Sequence, residues 1–387
     1  MWKFLAFAVC ISGSLAQLDL VYEWKELDFK FSSAAIREMM IKDGSFVSEN
    51  NVPARMEVYR DKLFVTIPRR REGVPVSLAF VDLTDRTTKS PKFIPYPTWG
   101  AHYRGSYNDP QVADAEYIAV DSCDRLWVLD NGTNPTLITY DLKTDKILRK
   151  FTIPADQVYA YLNVMAVEVA DCENTFAYIV DKCESNQMVV YSWAKNDSWL
   201  IVLDKNIEAL AVAPNNTLYI TTKWTNVLFS ISTEYFRNES IAKQSMNAFK
   251  FLGSLGSETR LGTMVFDSQT GVLFYLAGNG SNVEHGQYEL AYWNTIKEHS
   301  VSTSRSINAK DYSMFPLNDF KIDNDNLWVL SLRVPWSWKN QTDVNFRLFS
   351  APVLEAINNT VCDISDNTMS STSKKSSDTY RKQKELQ

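Results

Sequence analysis

The feature that most constrains this chain is a pattern repeated six times: an apolar strand, a polar turn, then a second strand rich in Leu, Trp, Tyr and Val. The first strands are anchored at Met56, Ile118, Met165, Leu210, Met264 and Phe320. Successive anchors lie 62, 47, 45, 54 and 56 residues apart. Such a period is typical of a β-propeller, because each blade buries its faces only against its neighbours. We therefore predict an all-β fold, a six-bladed β-propeller with a central channel; two packed β-sandwiches are the alternative.

Composition narrows the classes of function. The chain has 387 residues, and 40 Lys+Arg against 46 Asp+Glu give a net charge of −6. A surface that tracks phosphates needs clustered Lys and Arg, so no nucleic-acid partner is expected. Three histidines and the absence of a Cys-x-x-Cys spacing argue against a metal site. We predict no metal and no cofactor, and helical periodicity is confined to residues 33–41.

The two ends of the chain differ in character from its middle. Residues 1–16 combine Lys3, a short apolar run and a small-residue site ending at Ala16, which is the form of a cleaved signal peptide. Residues 17–362 contain the predicted propeller, and residues 363–387 are a polar, low-complexity tail predicted to be disordered. No later run reaches the ~20 apolar residues of a membrane-spanning helix. We predict a secreted, extracellular protein without a membrane span.

Sequons and cysteines fit that compartment. Seven Asn-x-Ser/Thr sequons predict glycosylation at Asn131, Asn196, Asn215, Asn238, Asn279, Asn340 and Asn358. The mature chain would keep four cysteines, at 123, 172, 183 and 362, which allow three pairings in an oxidising compartment. One or two buried thiols are the alternative.

Several ordered motifs resemble one family. They are residues 23–29, 63–69, 94–99, 344–352 and, most specifically, VDSCDRLWVLDNG at 120–132. On these motifs the chain resembles the insect yellow and major royal jelly proteins from Tyr22 to about Asp363. The resemblance also implies a six-bladed propeller.

The resemblance implies a disulfide as well. The family pairs the cysteines that match Cys123 and Cys172, and both are present here. Its late pair joins a Cys-Trp-Asn/His motif to the last cysteine, but the motif here reads Tyr292-Trp293-Asn294, so Cys362 lacks its usual partner. Cys183 either takes that place or stays a thiol.

The hydrolase, zinc-protease and phosphate-loop motifs are absent from the sequence. A prediction of enzymatic activity therefore depends on the family resemblance. Some yellow relatives are credited with dopachrome conversion, which needs a proton-transfer group. The candidates are Glu116, Glu208 and Asp319, each just before a first-strand anchor. Solvated strand-end carboxylates are the alternative interpretation.

A second branch of the family, in sand fly saliva, binds serotonin and catecholamines in the channel mouth without turnover. By resemblance, the matching positions are Asn318, Asp319 and Leu332, although Leu332 cannot make the hydrogen bonds of the amide it replaces. Trp336 offers an aromatic wall, with loop packing as the alternative. Our leading hypothesis is a non-catalytic protein that binds a small amine or indole-like ligand or serves an extracellular structural or nutritional role. The rival is a dopachrome-converting enzyme.

Overall fold

The computed structural model describes residues 18–85, 87–103, 111–181, 183, 185–223, 225, 227–242, 247–255, 263–278, 288–299, 304–307, 317–333, 343–358 and 362. The predictions for residues 1–16, for the tail 363–387, and for Asn279, Trp336 and Asn340 lie outside these residues.

The described strands form six antiparallel sheets of four strands each, which are the blades. The first strand of the chain, β1 (Asp19–Trp24), belongs to the last blade. Blade 1 contains β2 (Met56–Tyr59), β3 (Lys62–Thr66), β4 (Leu78–Asp82) and β5 (Ile94–Pro95). Blade 2 contains β6 (Ala115–Val120), β7 (Arg125–Asp130), β8 (Thr136–Asp141) and β9 (Lys146–Thr152). Blade 3 contains β10 (Leu162–Val169), β11 (Thr175–Asp181), β12 (Gln187–Ser192) and β13 (Asp197–Val202).

The second half of the chain continues the pattern. Blade 4 contains β14 (Ile207–Ala213), β15 (Thr217–Thr222), β16 (Val227–Ser232) and β17 (Lys250–Ser254). Blade 5 contains β18 (Met264–Asp267), β19 (Val272–Gly278), β20 (Tyr288–Asn294) and β21 (Ser304–Ile307). Blade 6 contains β22 (Leu317–Asp323), β23 (Asn326–Leu332) and β24 (Phe346–Pro352), with β1 outermost.

The first strands of neighbouring blades contact one another around a ring, including β22 with β2, so the sheets close around a central channel. The six-bladed propeller is therefore confirmed, and every anchor lies on a first strand. The turns between first and second strands lie at one end of the channel, here called the turn rim. First strands begin at the opposite end, here called the mouth rim.

Closure of the ring joins the two ends of the domain. Strand β1 pairs antiparallel with β24, with Tyr22 opposite Leu348 and Trp24 opposite Phe346. Trp24 Nε1 also donates to the carbonyl of Pro91 in blade 1, at 2.8 Å. The first described strand thus holds the last blade in place and covers the edge of β24.

Helices are short and peripheral. Among the described residues, the α-helices are α1 (Ala34–Lys42), α2 (Glu239–Ala242) and α3 (Val353–Ile357). Ser33 caps α1 by accepting from the Ile36 N–H, so the predicted helical segment is confirmed. In the described part of the chain, no helix is long and apolar enough to cross a membrane.

The turn rim between blades 2 and 3 carries the predicted disulfide. Cys123 and Cys172 are bonded, with their Cα atoms 5.8 Å apart. Cys183 lies at the other end of β11, exposed and not disulfide-bonded, and Cys362 is a buried thiol. The pairing that the resemblance implied is therefore confirmed.

The turn between the first two strands of blade 6 is a tight one. Asn324 and Asp325 join β22 to β23 with φ values of 45° and 65°. Two consecutive residues with positive φ form the tight turn that matches the twist of a hairpin. The acidic run 323–326 is therefore a hairpin turn.

Candidate functional site

One polar residue from each blade stands at the same structural position on the mouth rim. In four blades the ladder between first and second strands shifts register there, leaving Glu116, Asn163, Glu208 and Asn318 as bulge residues. Arg55 and Thr263 hold the same position before β2 and β18, where their carbonyls accept from Thr66 and Leu276. We call these six residues the mouth ring. Bulges are frequent beside functional sites because they re-aim side chains out of the sheet.

Arg55 connects three blades across the channel. Its Nη1 donates to Thr263 Oγ1 of blade 5 at 2.8 Å and lies 3.7 Å from Asp319 Oδ1 of blade 6. Asp319 is completely buried and also accepts from Thr263 Oγ1 at 3.0 Å and from the Met56 N–H at 2.8 Å. A buried carboxylate with these donors is held in one orientation, so Asp319 anchors Arg55.

Below the mouth ring, a second buried ion pair extends the polar core. Lys321 Nζ lies 2.7 Å from Glu57 Oε1, and both Lys321 and Arg55 stand over the ring of Tyr117, at 5.2 and 5.1 Å from its centre. Burial raises the pKa of Glu57 to about 7, although Lys321 acts against this. Burial alone would lower the pKa of Lys321, but Glu57 and then Tyr117 hold it above its ordinary value.

Glu116 belongs to the mouth ring but is enclosed by its own partners. It is 4% exposed, with Arg70 Nη2 at 2.8 Å from Oε1 and the Tyr161 hydroxyl donating to Oε2 at 2.6 Å. Burial and then the Glu116 charge raise the pKa of Tyr161 well above its ordinary value. Both contacts keep the Glu116 carboxylate turned toward blades 1 and 3.

The other candidates from the sequence occupy different environments. Glu208 is half-buried at the start of β14, directly in the mouth ring. Asn318 is half-buried, and its Nδ2 donates to the carbonyl of Ala54. Leu332 is 3% exposed and packs in the cluster that contains Leu330 and Phe346. Its side chain therefore fills the core, which gives no support to its prediction as a ligand-binding residue.

Sequence reasoning missed Arg55, Tyr117, Tyr161 and Lys321. One signal was present in the sequence. Arg55 and Thr263 stand one residue before the anchors Met56 and Met264, and the predicted residues Glu208 and Asn318 stand two residues before the anchors of their own blades. The others meet only when blades 1, 2, 3 and 6 are brought together. Among the described residues, no group of three or more His, Cys, Asp or Glu could hold a metal ion.

The sequons fall in different surroundings. Asn196, Asn215, Asn238 and Asn358 are exposed. Asn131 is half-buried, and its Nδ2 donates to the Leu162 carbonyl at 2.6 Å. Glycosylation at each of these positions stays a prediction.

Comparison with known proteins identifies relatives across the propeller. The family model described as Major royal jelly protein matches residues 115–209 and 200–362. Protein yellow of Drosophila subobscura is 30% identical over 92% of this chain and 69% of its own length. Protein yellow of Drosophila guanche is 29% identical over 93% of this chain and 70% of its own length.

A solved structure of a luciferin-regenerating enzyme covers 79% of this chain and 93% of its own, with 11% identity and a TM-score of 0.48, which is too low to bear on function. The family model and the relatives agree with the motifs quoted above and with the six blades. The chain belongs to the major royal jelly protein family, which includes the yellow proteins.

Proposed function

We propose that this protein is secreted and glycosylated and binds a small aromatic amine, or an indole-like ligand, at the mouth rim without turning it over. The observation that carries the proposal is the mouth ring itself. It gathers one polar side chain from each blade around the channel, beside two buried ion pairs.

The ring is electrically polarised. Blade 1 supplies the cation Arg55, and blade 4, which stands opposite it in a ring of six, supplies the carboxylate Glu208. Asp319 is fully buried and Glu116 is 4% exposed, whereas Glu208 is half-buried. Glu208 is therefore the ring carboxylate best placed for a ligand ammonium, which binds most strongly to a charged acceptor.

An aromatic ligand also needs a flat apolar neighbour. Tyr161 is half-buried beside the mouth ring, with its hydroxyl fixed by Glu116 and its backbone N–H donating to Asp181 Oδ2 at 3.1 Å. Because the hydroxyl and the backbone are both held, the aromatic ring would lose little side-chain freedom on binding. A ligand hydroxyl group would find the half-buried Asn163 on the same ring.

Absence of turnover is favoured by how two of the three candidate carboxylates, Asp319 and Glu116, are held. A general base must accept a proton from the substrate within hydrogen-bond reach. Asp319 and Glu116 instead direct their oxygens at Arg55, Thr263, Arg70 and Tyr161. Both serve as fixed partners of cations and hydroxyls.

Calorimetric titration of the purified protein with serotonin and dopamine tests the proposal. We expect saturable binding that weakens by tenfold or more in Glu208→Gln, about the value of a charge-assisted hydrogen bond. Glu355→Gln, which changes an exposed carboxylate on α3, should bind like the unmodified protein. No heat at millimolar ligand would rule out amine binding.

The rival function has its own readout. Loss of dopachrome absorbance faster than the uncatalysed rate would overturn the non-catalytic part of the proposal. Loss of that acceleration in Glu208→Gln, with retention in Glu355→Gln, would place the chemistry in the mouth ring.

A further inference from the structure

A short segment after β20 connects blade 5 to blade 4. At its start, Thr295 donates from both its backbone N–H and its Oγ1 to the Gly271 carbonyl of blade 5, at 3.0 and 2.8 Å. At its end, the His299 side chain packs against Gly253 on β17, the outermost strand of blade 4. We call residues 295–299 the strap, because they run from one blade to the next.

The strap is attached to an aromatic seam between the two blades. Trp293 Nε1 on β20 donates to the Lys297 carbonyl of the strap at 3.1 Å. The Trp293 ring stands edge-on to Tyr219 of blade 4, with ring centres 6.2 Å apart, and edge-on to His299, at 5.0 Å. Trp293 is buried in the cluster that contains Tyr219 and Leu228 of blade 4. Release of the strap would therefore uncover the Trp293 edge of this seam.

The His299 ring is buried without a hydrogen bond. The residue is 7% exposed, and neither Nδ1 nor Nε2 has a hydrogen-bond partner. Within the part of the chain that the structure describes, no other side chain has two buried polar atoms of this kind. An unpartnered buried polar atom is destabilising, and an unpartnered buried charge is much more so. The site therefore accepts a neutral imidazole but not an imidazolium.

The backbone of blade 4 lies close to one side of the ring. A Cβ built on Gly253 would lie 2.6 Å from His299 Nδ1, which is closer than real Cβ atoms approach. Gly253 also has a φ of +155°, which side-chain-bearing residues rarely adopt. The glycine thus makes room for the ring, and the contact leaves no space for a counter-ion on the Nδ1 side.

Among the described residues, no carboxylate balances a charge on His299. Lys297 and Glu298 precede it in the strap, and each has an interaction of its own. Lys250, on the packed strand β17, is exposed and has the same sign of charge as an imidazolium. Burial lowers the pKa of His299 below its ordinary value of 6.5. Geometry and charge therefore both keep the ring neutral while the strap is closed.

We infer that the strap is a pH-sensitive switch, in which protonation of His299 releases residues 295–299 from Gly253 and opens the seam between blades 4 and 5 at Trp293. In the open strap the ring is hydrated and binds a proton with its ordinary affinity. The open form therefore binds protons more tightly than the closed form. The closed strap keeps its full stability above pH 6.5 and loses it as the pH falls below that value.

Hydrogen–deuterium exchange of the full protein tests the switch without a ligand, so the test does not depend on the amine site. Peptides covering residues 293–299 are followed by mass spectrometry at pH 7.5, 6.5 and 5.5, with correction for exchange of the unfolded chain at each pH. With an ordinary pKa of 6.5 in the open form, the opening equilibrium should rise by about fivefold from pH 6.5 to pH 5.5. Peptides covering β7, at the seam between blades 2 and 3, should show no such rise.

Two substitutions at His299 separate its charge from its packing. His299→Phe keeps an aromatic ring beside Trp293 and removes the titrating group, so opening should no longer depend on pH. His299→Gln cannot titrate either and loses the ring contact, so opening should be greater than in the unmodified protein at pH 7.5 and independent of pH. His102→Gln removes the other buried histidine of the described residues and should leave the pH response of the strap unchanged.

Three results would overturn the inference. Equal exchange of the strap at pH 6.5 and 5.5 in the unmodified protein would show that protonation does not open it. A pH response that persists in His299→Phe would assign the titration to another group. An equal response of the β7 peptides would mean that acid loosens the whole propeller rather than this seam.

Discussion

The two ends of the channel are built differently. At the turn rim, blades 2 and 3 are joined by the Cys123–Cys172 bond. At the mouth rim, the same blades meet through the Tyr161 hydroxyl on Glu116, and Glu116 in turn pairs with the half-exposed Arg70. A covalent bond at one end leaves the other free to carry bulges and uneven charge. Binding sites commonly lie in regions of low local stability, and the amine site proposed above lies at the rim opposite the disulfide.

Arg125 connects blades 2 and 3 beside the disulfide at the turn rim. Its Nε lies 2.7 Å from Asp121 Oδ2, its Nη1 donates to the Cys172 carbonyl at 2.8 Å, and its Nη2 donates to Thr175 Oγ1 at 2.6 Å. Trp127 Nε1 donates to the same Asp121 carboxylate at 2.7 Å. The two Nη donors of Arg125 cross to blade 3, and Asp121 holds Arg125 and Trp127 in position within blade 2.

Removing the Cys123–Cys172 disulfide should have the largest effect on the free energy of unfolding. The disulfide closes a loop between residues 49 positions apart, so Cys123→Ser should lower the free energy of unfolding by about 4 kcal/mol on the chain-entropy estimate. Urea unfolding under non-reducing conditions measures this. Cys183→Ser removes an exposed thiol and should change the free energy by less than about 0.5 kcal/mol. Equal effects of the two variants would mean that the bond does not lock the turn rim.

Acidic pH should lower the free energy of unfolding by a somewhat smaller amount than loss of the disulfide, through His102 on the mouth side of blade 1. The His102 ring is 2% exposed, with Nε2 at 2.9 Å from the Tyr96 carbonyl, and burial followed by Arg69 lowers its pKa from 6.5 to about 4. The unfolded chain therefore binds this proton more tightly. Stability from His102 is complete above pH 6.5 and is lost as the pH falls toward 4, by about 3 kcal/mol in total.

Comparing His102→Gln with the unmodified protein isolates this contribution. The difference in unfolding free energy between the two should be constant from pH 7.5 to about 6.5 and should shrink steadily from there to pH 4. A difference that stays constant over that range would show that His102 does not titrate in this way.

The smallest change in stability is expected where the family's late disulfide is absent. Cys362 packs in the same cluster as Tyr292, and burial raises the pKa of its thiol to about 11, with the Asn294 backbone N–H acting against this. In Tyr292→Cys we expect a bond to Cys362. The stability gained from the new disulfide offsets the stability lost with the buried aromatic ring. The free energy of unfolding should therefore change by only about 1 kcal/mol.

Thiol counting checks this directly. Under denaturing, non-reducing conditions, Tyr292→Cys should show one alkylatable thiol, Cys183. Tyr178→Cys, which truncates a buried aromatic residue in another cluster, should show three. Three thiols in Tyr292→Cys would mean that the turn rim of blade 5 has not kept the geometry for a bond.

Prediction from sequence succeeded where the signal is local. Strand alternation and turn residues are set by neighbours along the chain, so the six anchors, the capped helix after Ser33 and the hairpin at Asn324 were all predictable. The resemblance supplied the pairing of Cys123 with Cys172. Leu332 shows the limit, because its match by resemblance carried no information on which way the side chain points.

The sequence by itself determined the number of blades and three of the six mouth-ring residues, Glu116, Glu208 and Asn318. Only the tertiary structure decided that β1 completes blade 6, that Arg55 reaches Thr263 and Asp319, and that α1 forms a groove with the arginines of blade 1. The physical reason is sequence separation. Residues 208 positions apart, as Arg55 and Thr263 are, come into contact only because the ring closes, and closure depends on the packing of all six blades together.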